Sequence, residues 1–219
     1  TIFIDGGLVN SKMNQEKIWN RIASKWYEYR KVKDKEVVAF LKNKKGKLLD
    51  VGCGSGRNFV KRAGLSIYGI DFSKEMLGYA KKDAKKLGIK VILKKGSSEK
   101  IPFVDEYFDY VICKAVLHCV DTKKKREKSI KEIYRVLKND GGAFISVWGK
   151  DSPRINKIRL VKTGKAKEFF APWTVGNKKY MRYTYLFDKL EMKNLLEDVG
   201  FEIKSFEEDR NLSFIVRKP

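Results

Sequence analysis

A glycine-rich segment, Asp50–Gly56, is the part of the sequence best suited to bind a small molecule. Its glycines at 52, 54 and 56 allow the backbone to turn tightly and to approach a ligand closely. The segment follows a short apolar run that predicts a buried strand, and Asp71 ends the next such run. A carboxylate at that place can accept hydrogen bonds from both hydroxyl groups of a ribose. The pattern therefore predicts a ligand that carries a ribose.

Three features distinguish this site from the dinucleotide sites that use similar glycine loops. Asp50 opens the loop with an acid, which suits a cationic amino-acid group better than a pyrophosphate. Gly96-Ser97 follows the third predicted strand, and Phe108-Asp109-Tyr110-Val111 leads into the fourth. With the glycine loop and Asp71, these segments resemble class I methyltransferases that use S-adenosylmethionine (SAM), from Lys47 to Trp148. The resemblance implies a Rossmann-like α/β fold, SAM as cofactor and methyl transfer as the reaction.

The same resemblance implies which residues bind the cofactor. They follow four successive predicted strands and comprise Asp50, Gly52, Gly54, Gly56, Asp71, Phe72, Ser97, Ser98, Lys114 and Leu117. Family members usually carry an acid where Ser97 stands, and that acid accepts a hydrogen bond from the adenine amino group. A serine hydroxyl accepts more weakly. The sequence therefore predicts either a modest affinity for SAM or a substitute acceptor in Glu99.

The catalytic groups that a methyltransferase needs depend on its nucleophile. The enzyme mostly aligns nucleophile, methyl group and sulfur, so positioning matters more than covalent catalysis. An amine or a hydroxyl must lose a proton and is helped by a base, whereas a carboxylate is already ionised and needs a compensating cation. His118, the single histidine of the chain, follows the fourth predicted strand. It is a candidate for a base or a substrate contact, or it supports the cofactor from a helix start.

Several segments match one branch of this family more closely. They are Trp19–Ala23, Trp26, Tyr29-Arg30, Ala115–His118, Ala171–Trp173, Arg182–Phe187 and Asp209–Asn211. The branch they resemble is the tRNA methyltransferases that esterify 5-carboxymethyluridine at the wobble position. Thr184 and Tyr185 stand where the branch has a tyrosine and a histidine, and Leu212 stands where it has a tryptophan. If those side chains position the uridine, the departures predict another substrate or a slow reaction.

The branch resemblance implies the substrate and the catalytic residues, which are Arg30, His118, Arg182 and Tyr183. The implied partner is the anticodon loop of a tRNA. An ester-forming site needs cations that bind a carboxylate, and Arg30 and Arg182 are the candidates. Surface phosphate contact and solubility are the other roles open to these two arginines.

Other segments could contact the tRNA or a protein partner. Trp173, Tyr183 and Tyr185 can stack an unpaired base, but they equally suit a hydrophobic core. The basic stretches Lys123–Lys128 and Lys157–Lys167 suit the tRNA backbone or plain solvation. Because branch members often act with a small zinc-binding activator protein, we expect an edge strand, Ile89–Leu93, to pair with such a partner.

The composition bounds the class of protein. The 219 residues, 42% hydrophobic and 35% charged, suffice for one globular α/β domain. The net charge of +22 reflects either a polyanionic partner or a lysine-rich organism. No apolar run approaches the roughly 20 residues of a membrane-spanning helix, so we expect no membrane partner. Three cysteines without a Cys-x-x-Cys pair disfavour disulfides and structural zinc, which indicates a reducing cytoplasm.

Hydrophobic periodicity predicts the elements that must position these residues. Three predicted helices are Gln15–Tyr29, Lys33–Leu41 and Lys123–Leu137. A further helix is capped by Ser73 and runs to Leu87. The last predicted helix begins with a capping box at Asp188 and Glu191 and runs to Val199. The predicted strands are Lys47–Val51, Ser66–Ile70, Ile89–Leu93, Tyr110–Cys113, Ala143–Val147, and a closing hairpin of Phe201–Phe206 and Leu212–Val216. The alternation predicts a mostly parallel sheet with helices on both faces.

We expect one methyltransferase domain over residues 13–219. Thr1–Lys12 is interpreted as an upstream extension or an expression remnant, because Met13 could be the natural start. Residues 149–185 break the alternation, and Asp140–Gly142 is predicted to turn the chain into the fifth strand. We expect residues 149–185 to form an insertion of loops and short helices over the top of the sheet.

Two other functions stay open on the sequence. A small-molecule methyltransferase of the quinone or sterol type shares the cofactor motifs, but the net charge and the Arg182–Phe187 segment disfavour it. A non-catalytic RNA-binding module with a decayed SAM site is disfavoured by the intact Asp50–Gly56 loop. Methylation of base amino groups is also disfavoured, because Lys114-Ala115-Val116-Leu117 stands where such enzymes carry an Asn/Asp-Pro-Pro-Tyr motif.

Overall fold

The computed structural model describes residues 14–30, 32–153 and 155–219, together with the backbone of residues 2–4 and 7–9 and, at Asn156, the backbone alone. Strands β1 (Ile2–Ile4) and β2 (Gly7–Val9) form a small antiparallel pair. The rest of the predicted extension Thr1–Lys12, and Met13, lie outside the described residues.

A seven-stranded sheet forms the centre of the fold. Its strands are β3 (Gly46–Val51), β4 (Leu65–Asp71), β5 (Val91–Lys95), β6 (Phe108–Lys114), β7 (Leu137–Val147), β11 (Glu202–Glu208) and β12 (Leu212–Arg217). The spatial order is β11-β12-β7-β6-β3-β4-β5, and the five strands from β7 to β5 pair in parallel. The antiparallel β11–β12 hairpin joins the sheet through β7. The predicted Rossmann-like fold, mostly parallel with a C-terminal antiparallel hairpin, is confirmed.

Helices cover both faces of this sheet. They are α1 (Gln15–Tyr29), α2 (Lys35–Phe40), α3 (Lys74–Leu87), α4 (Lys123–Val136) and α5 (Lys189–Glu197). Ile130 and Ile133 of α4 are fully buried in the core on one face, and Ala80 of α3 lies in the core on the other. Ser73 caps α3, because its hydroxyl accepts from the Met76 amide at 3.1 Å, as the sequence predicts.

Some element boundaries differ from the prediction for local reasons. Helix α2 begins two residues later than predicted, because the Asp34 side chain caps it and accepts from the Val37 amide at 3.3 Å. Strand β5 also begins two residues late. Gly88 ends α3 in a left-handed conformation, and the Ile89 amide then donates to the Ala84 carbonyl, so Ile89 belongs to the helix cap.

The predicted turn at Asp140–Gly142 is wrong as a boundary. Strand β7 begins at Leu137, immediately after α4, and continues through Asp140, which has a φ of 64°. The register with β6 shifts between the Phe108 and Tyr110 pairs, so the chain absorbs the extra residues as an irregularity within the strand.

The predicted capping box at Asp188 and Glu191 is also wrong. Asp188 precedes α5, but its side chain makes no capping hydrogen bond. Its carboxylate instead pairs with Lys150 at 2.8 Å and with Lys167. Glu191 accepts from the Tyr185 hydroxyl at 2.7 Å. Ion pairs with Lys150 and Lys167 and the hydrogen bond from Tyr185 therefore replace the local cap. Helix α5 ends at Glu197, two residues before the predicted end.

The insertion is built of strands, not of the predicted loops and short helices. Strands β8 (Val161–Lys162), β9 (Glu168–Val175) and β10 (Lys178–Tyr185) form an antiparallel sheet in the order β10-β9-β8. Only one helical turn, Ile155–Lys157, lies within the described part of the insertion. A two-residue turn at Gly176-Asn177 connects β9 and β10, and Gly176 has a φ of 56°. A turn of this kind between alternating aromatic residues is a hairpin signal that the sequence contained.

Among the described residues, no helix is long and apolar enough to cross a membrane. Within the same residues, no group of three or more histidine, cysteine or acidic side chains could hold a metal ion.

Candidate active site

A cavity of about 570 Å³ lies at the carboxyl ends of β3, β4 and β6. Strands β3 and β6 are neighbours in the sheet, but β4 and β5 follow β3 toward one edge and β7 follows β6 toward the other. The cavity therefore lies at the topological switch point, where α/β sheets bind ligands. Helix α1, the linker before α2, strand β10 and the β11–β12 turn supply the remaining walls. The volume lies within the usual range for a cofactor or substrate site.

The three loop glycines have different roles. All three have positive φ, of 64° at Gly52, 53° at Gly54 and 85° at Gly56. An added Cβ at Gly52 would meet the Val116 side chain at 2.5 Å, and one at Gly56 would meet the Phe59 ring at 2.9 Å. An added Cβ at Gly54 would meet nothing within 4 Å. Gly54 is therefore the position at which a ligand can approach the backbone, whereas the other two allow the protein to pack on itself.

Asp71 is held in place by the same loop. One carboxylate oxygen accepts from the Gly54 amide at 2.9 Å, and the other accepts from the Ser73 amide at 2.8 Å. Burial raises the pKa of Asp71 to about 6, although both backbone bonds favour the ionised form. Each oxygen has a further lone pair, and Asp71 lines the cavity. The carboxylate is thus oriented to accept from a diol.

Asp50 lies behind the loop and not on the cavity wall. Its carboxylate is 1% exposed and accepts from the Asn58 side-chain amide at 3.3 Å. Burial raises the pKa of Asp50 to about 7. Asn58 itself lines the cavity. The structure therefore gives Asp50 an indirect position, and Asn58 is a cavity residue that the sequence interpretation missed.

The other expected cofactor residues divide into two groups. Phe72 and Lys114 line the cavity with Gly52, Gly54 and Asp71, but Ser97, Ser98 and Leu117 do not. The Ser98 hydroxyl pairs with that of Ser129 on α4 at 2.8 Å, and Leu117 is fully buried in the core.

The linker between α1 and α2 forms a strap beside the glycine loop. The Arg57 guanidinium donates to the Val32 carbonyl at 2.7 Å. Lys114 forms salt bridges with Asp34, at 2.7 Å, and with Glu36. The Lys114 side chain is 7% exposed and that of Asp34 12%, so this ion pair is shielded from solvent. No local pattern in the sequence marked this strap, because its partners are distant along the chain.

The wall opposite the glycine loop combines cations with tryptophans. The Arg182 side chain is buried, and its guanidinium carbon lies 5.6 Å from the Trp19 ring centroid, 5.2 Å from that of Trp26 and 5.3 Å from that of Trp173. The guanidinium of Arg30, the C-cap of α1, lies 4.7 Å from the Trp26 centroid. Both arginines line the cavity. Aromatic faces hold a guanidinium favourably through cation–π contacts.

Tyr183 and Tyr185 belong to the hydrophobic core and do not line the cavity. Successive side chains of a strand point to opposite faces. Arg182 of β10 therefore reaches the cavity, whereas Tyr183 and Tyr185 point to the opposite face. Burial raises the pKa of both tyrosines to about 12. The Tyr185 ring also packs under the Arg126 guanidinium at 3.7 Å. The structure brings Arg30, His118 and Arg182 together at the cavity and leaves Tyr183 behind the wall.

His118 is buried at the cavity and stacks on Trp148, with ring centroids 4.7 Å apart. Its Nδ1 accepts from the Trp148 backbone amide at 3.4 Å. A neutral imidazole that accepts at Nδ1 carries its proton on Nε2. The contact with the Trp148 amide occupies Nδ1, and the roles of His118 as a base or as a substrate contact stay predictions.

The β11–β12 turn completes the cavity. Asp209, Arg210 and Asn211 line it, which matches the polar turn singled out in the sequence. The Ser152 hydroxyl fixes the turn by donating to the Arg210 carbonyl at 2.7 Å. Among the described residues, the buried Oδ1 of Asn211 has no hydrogen-bond partner.

Comparisons with known proteins agree with this site. A family model described as a methyltransferase domain matches residues 49–145. A protein of Encephalitozoon cuniculi that is assigned as a methyltransferase is 31% identical over 156 residues, which cover 71% of this chain and 70% of that protein. The chain belongs to the SAM-dependent methyltransferase family. A crystal structure of a SAM-dependent methyltransferase from Methanosarcina mazei has the same fold, with a TM-score of 0.67, 23% identity, and coverage of 85% of this chain and 99% of the other.

Relatives with different substrates also match this methyltransferase. A tRNA (carboxymethyluridine(34)-5-O)-methyltransferase of Arabidopsis thaliana is 27% identical over 171 residues, which are 76% of this chain and 41% of that protein. A ubiquinone/menaquinone biosynthesis C-methyltransferase of Geotalea uraniireducens is 34% identical over 124 residues, which are 53% of this chain and 50% of that protein. The second match is shorter. The family and its cofactor are therefore shown, and the substrate is a separate question.

The residues present fit SAM. The open space above Gly54 and the oriented carboxylate of Asp71 suit the nucleoside part of the cofactor. Asn58 and Lys114 lie on the same wall. Whether each of the ten expected residues touches the cofactor stays a prediction.

Proposed function

We propose that this methyltransferase esterifies the carboxymethyl group of a wobble uridine in tRNA. The observation that carries the proposal is the guanidinium of Arg182, buried at the cavity among three tryptophans. A carboxylate that leaves water needs a cation with several donors in a fixed plane, and arginine supplies both. Similarity to the Arabidopsis tRNA methyltransferase, over 76% of this chain, also supports it.

The chain's own residues would act by binding and orienting. SAM supplies a methyl group on a positively charged sulfur. Gly54 and Asp71 would hold its nucleoside part on one wall, and Arg30 and Arg182 would hold the substrate carboxylate on the other. Both walls belong to one cavity, so carboxylate and cofactor can be aligned without a covalent intermediate on the enzyme.

His118 fits the same proposal as a hydrogen-bond donor. Its Nδ1 accepts from the Trp148 amide, so the proton of the neutral ring is on Nε2. A substrate amine or hydroxyl would need a base at this place. A carboxylate needs none, because it is ionised at neutral pH. With a carboxylate substrate, His118 therefore needs no role as a base.

The experiment incubates the protein with methyl-labelled SAM and tRNA that bears unesterified carboxymethyluridine, and then applies mild alkali. We expect label that enters the tRNA and leaves as methanol, because alkali cleaves a methyl ester. Label that resists alkali would mean methylation of nitrogen or carbon and would contradict the proposal. The same tRNA without the carboxymethyl group is the control and should stay unlabelled.

A small-molecule substrate is the competing function, and the match to the Geotalea C-methyltransferase supports it. If SAM binds and no tRNA takes up label, this function is favoured. The cationic wall argues against it, because apolar quinone precursors gain nothing from two arginines.

We also propose that a small zinc-binding activator protein pairs with β5. Among the described strands, β5 lies at the edge of the sheet with β4 as its one neighbour. Ile92 of β5 is 51% exposed. An open strand with an exposed apolar side chain can add a strand from another protein. We expect Ile92→Lys to weaken co-purification of the activator, and an unchanged complex would contradict this site.

A further inference from the structure

The outer face of α3 carries a run of lysines without acidic partners. Lys81, Lys82, Lys85 and Lys86 are exposed, and none of the four forms a salt bridge with a described residue. Like charges this close on a helix repel one another and reduce its stability. The pKa of Lys86 is raised chiefly by its hydrogen bond to the Tyr27 hydroxyl and least by Asp83, whose carboxylate pairs with Lys33 at 2.9 Å. This face therefore has an unbalanced positive charge.

Two tyrosines lie between these lysines and helix α1. Tyr27 of α1 and Tyr79 of α3 stack with centroids 4.9 Å apart and an interplanar angle of 26°. The ammonium of Lys82 lies 5.0 Å from the Tyr79 centroid, and that of Lys86 lies 5.1 Å from the Tyr27 centroid. Lys86 also donates to the Tyr27 hydroxyl at 2.8 Å. The ring contacts thus order two long, exposed cations that would otherwise be mobile. We call Tyr27, Tyr79, Lys82 and Lys86, with Lys81 and Lys85, the α1–α3 ridge.

The ridge continues from the wall of the cavity. Trp26, which precedes Tyr27 in the chain, lines the cavity, and so does Met76, one turn before Tyr79. At a rise of about 1.5 Å per residue, Met76 and Lys86 are separated by roughly 15 Å along α3. A strand whose nucleotide occupies the cavity could therefore lay its adjoining phosphates on the ridge.

Helix α4, another lysine-rich helix, differs in its charge balance. Lys123 pairs with Glu127 at 3.8 Å, and Lys125 pairs with Asp121 at 2.8 Å. None of its lysines has a cation–π contact with a described ring of the kind found on α3. Part of its positive charge is thus neutralised within the protein.

We propose that the α1–α3 ridge binds the phosphate backbone of the RNA that flanks the substrate nucleotide. The proposal rests on the tRNA function proposed above and adds the place of docking. Ordered, uncompensated ammonium groups release the counterions of phosphates, which gives affinity with little sequence preference.

The test compares the salt dependence of tRNA binding in variants of equal charge change. The ridge variant is Lys82→Gln with Lys86→Gln, the α4 variant is Lys124→Gln with Lys128→Gln, and the control is Lys193→Gln with Lys204→Gln. The control lysines pair with Glu197 and Glu202, distant from the ridge in the fold. We expect the slope of log affinity against log salt to fall by about 2 in the ridge variant, close to 1 for each lost phosphate contact. The corresponding loss of tRNA affinity near 0.15 M salt is about fivefold for each phosphate contact.

An unchanged slope in the ridge variant, or an equal loss in the control, would overturn the proposal. A larger loss in the α4 variant would move the docking surface to the other helix and overturn it as well. SAM affinity should match wild type and thermal stability should not fall by more than a few degrees in any of the three variants, which excludes misfolding as the cause. A synthetic polyglutamate should compete poorly with tRNA, and equal competition at equal charge would contradict an RNA surface.

The outcomes separate this proposal from the tRNA function itself. If wild-type protein forms an alkali-labile ester on tRNA while the ridge variant keeps its slope, the ridge fails and the function holds. If wild-type protein forms no ester and the salt dependence of tRNA binding is still weaker in the ridge variant, the proposed esterification is contradicted and the RNA-binding role of the ridge is supported.

Discussion

Replacing Asp71 by asparagine tests the central feature of the cofactor site with little change in shape. The two carboxylate oxygens accept from the Gly54 and Ser73 amides at 2.9 and 2.8 Å. An asparagine keeps one acceptor and turns an amide N–H₂ toward the second backbone donor. A buried donor left without a partner costs about 1–3 kcal/mol. The variant side chain should therefore lose one of the two backbone hydrogen bonds, to Gly54 of the loop or to Ser73 at the start of α3.

Removal of the buried charge acts in the opposite direction. The pKa of Asp71 is raised from 3.8 to about 6, so the fold disfavours the ionised carboxylate. At about 1.4 kcal/mol per unit, wild-type protein loses about 3 kcal/mol of stability from this group as the pH rises from 3.8 to above 6. Asparagine does not titrate and avoids that loss. At pH 8 the two effects nearly cancel, and we expect the unliganded variant to unfold close to wild type.

The affinity for SAM should nevertheless fall. A hydrogen bond to a charged acceptor contributes about 1.5–3 kcal/mol, so loss of one ribose contact predicts a roughly 10- to 100-fold rise in Kd at pH 8. Calorimetry with SAM and with an analogue that lacks one ribose hydroxyl completes a double-mutant cycle. We expect a coupling of about 1–2 kcal/mol between Asp71 and that hydroxyl. Additive losses for both hydroxyls would refute the contact between Asp71 and the ribose, whatever the size of the single effects.

Further predictions concern the loop, the buried charge, the cationic wall and the strap. Gly54→Ala should weaken SAM binding and lower the Tm only slightly, because its Cβ enters open space at a φ of 53° and costs the fold only about 1–2 kcal/mol. An unchanged Kd for SAM would contradict a close approach of the ligand to Gly54. Burial raises the pKa of Asp50 to about 7, so the free energy of unfolding should fall as the pH rises from about 4 to 7. Asp50→Asn should reduce this pH dependence, measured by urea titration at several pH values. An equal pH dependence in both proteins would contradict a buried carboxylate. Arg182→Gln should retain SAM affinity and form the ester at least 100-fold more slowly, and Arg182→Lys should keep partial activity. Equal activity of wild type and both variants would contradict binding of the substrate carboxylate by Arg182. Asp34→Asn removes one partner of the buried Lys114 ammonium and should lower the Tm and speed SAM release; stopped-flow rates equal to wild type would show that the strap does not retain the ligand.

Local sequence patterns determined much of the fold. Buried strands in a parallel sheet appear as continuous apolar runs, and helix caps depend on one or two neighbouring residues. For this reason the Ser73 cap, the parallel strands and the glycine loop could be predicted without coordinates. Helix α1 has the bounds Gln15–Tyr29 that its apolar stripe predicts. The position of Asp71 at the end of β4 also follows from the run of residues before it.

Predictions failed where contacts distant in sequence compete with local ones. Asp188 and Glu191 have the spacing of a capping box, but Lys150, Lys167 and Tyr185 bind their carboxylates. Ion pairs and hydrogen bonds formed in the folded chain replaced a cap worth about 1 kcal/mol. The insertion was predicted but its strands were not, although Gly176-Asn177 between aromatic residues is a hairpin signal that the sequence contained.

The sequence by itself determined that this chain has a SAM-type glycine loop, an acid at the end of the second parallel strand and a parallel sheet, because each is encoded by residues close together. Only the tertiary structure decided which side chains share the cavity. Strand alternation directs Arg182 to the cavity and Tyr183 to the core, although the two are adjacent in the chain. Packing of α1 against β9 and β10 brings Trp19, Trp26 and Trp173 around one guanidinium. Proximity across the fold depends on how elements pack, which no local pattern specifies.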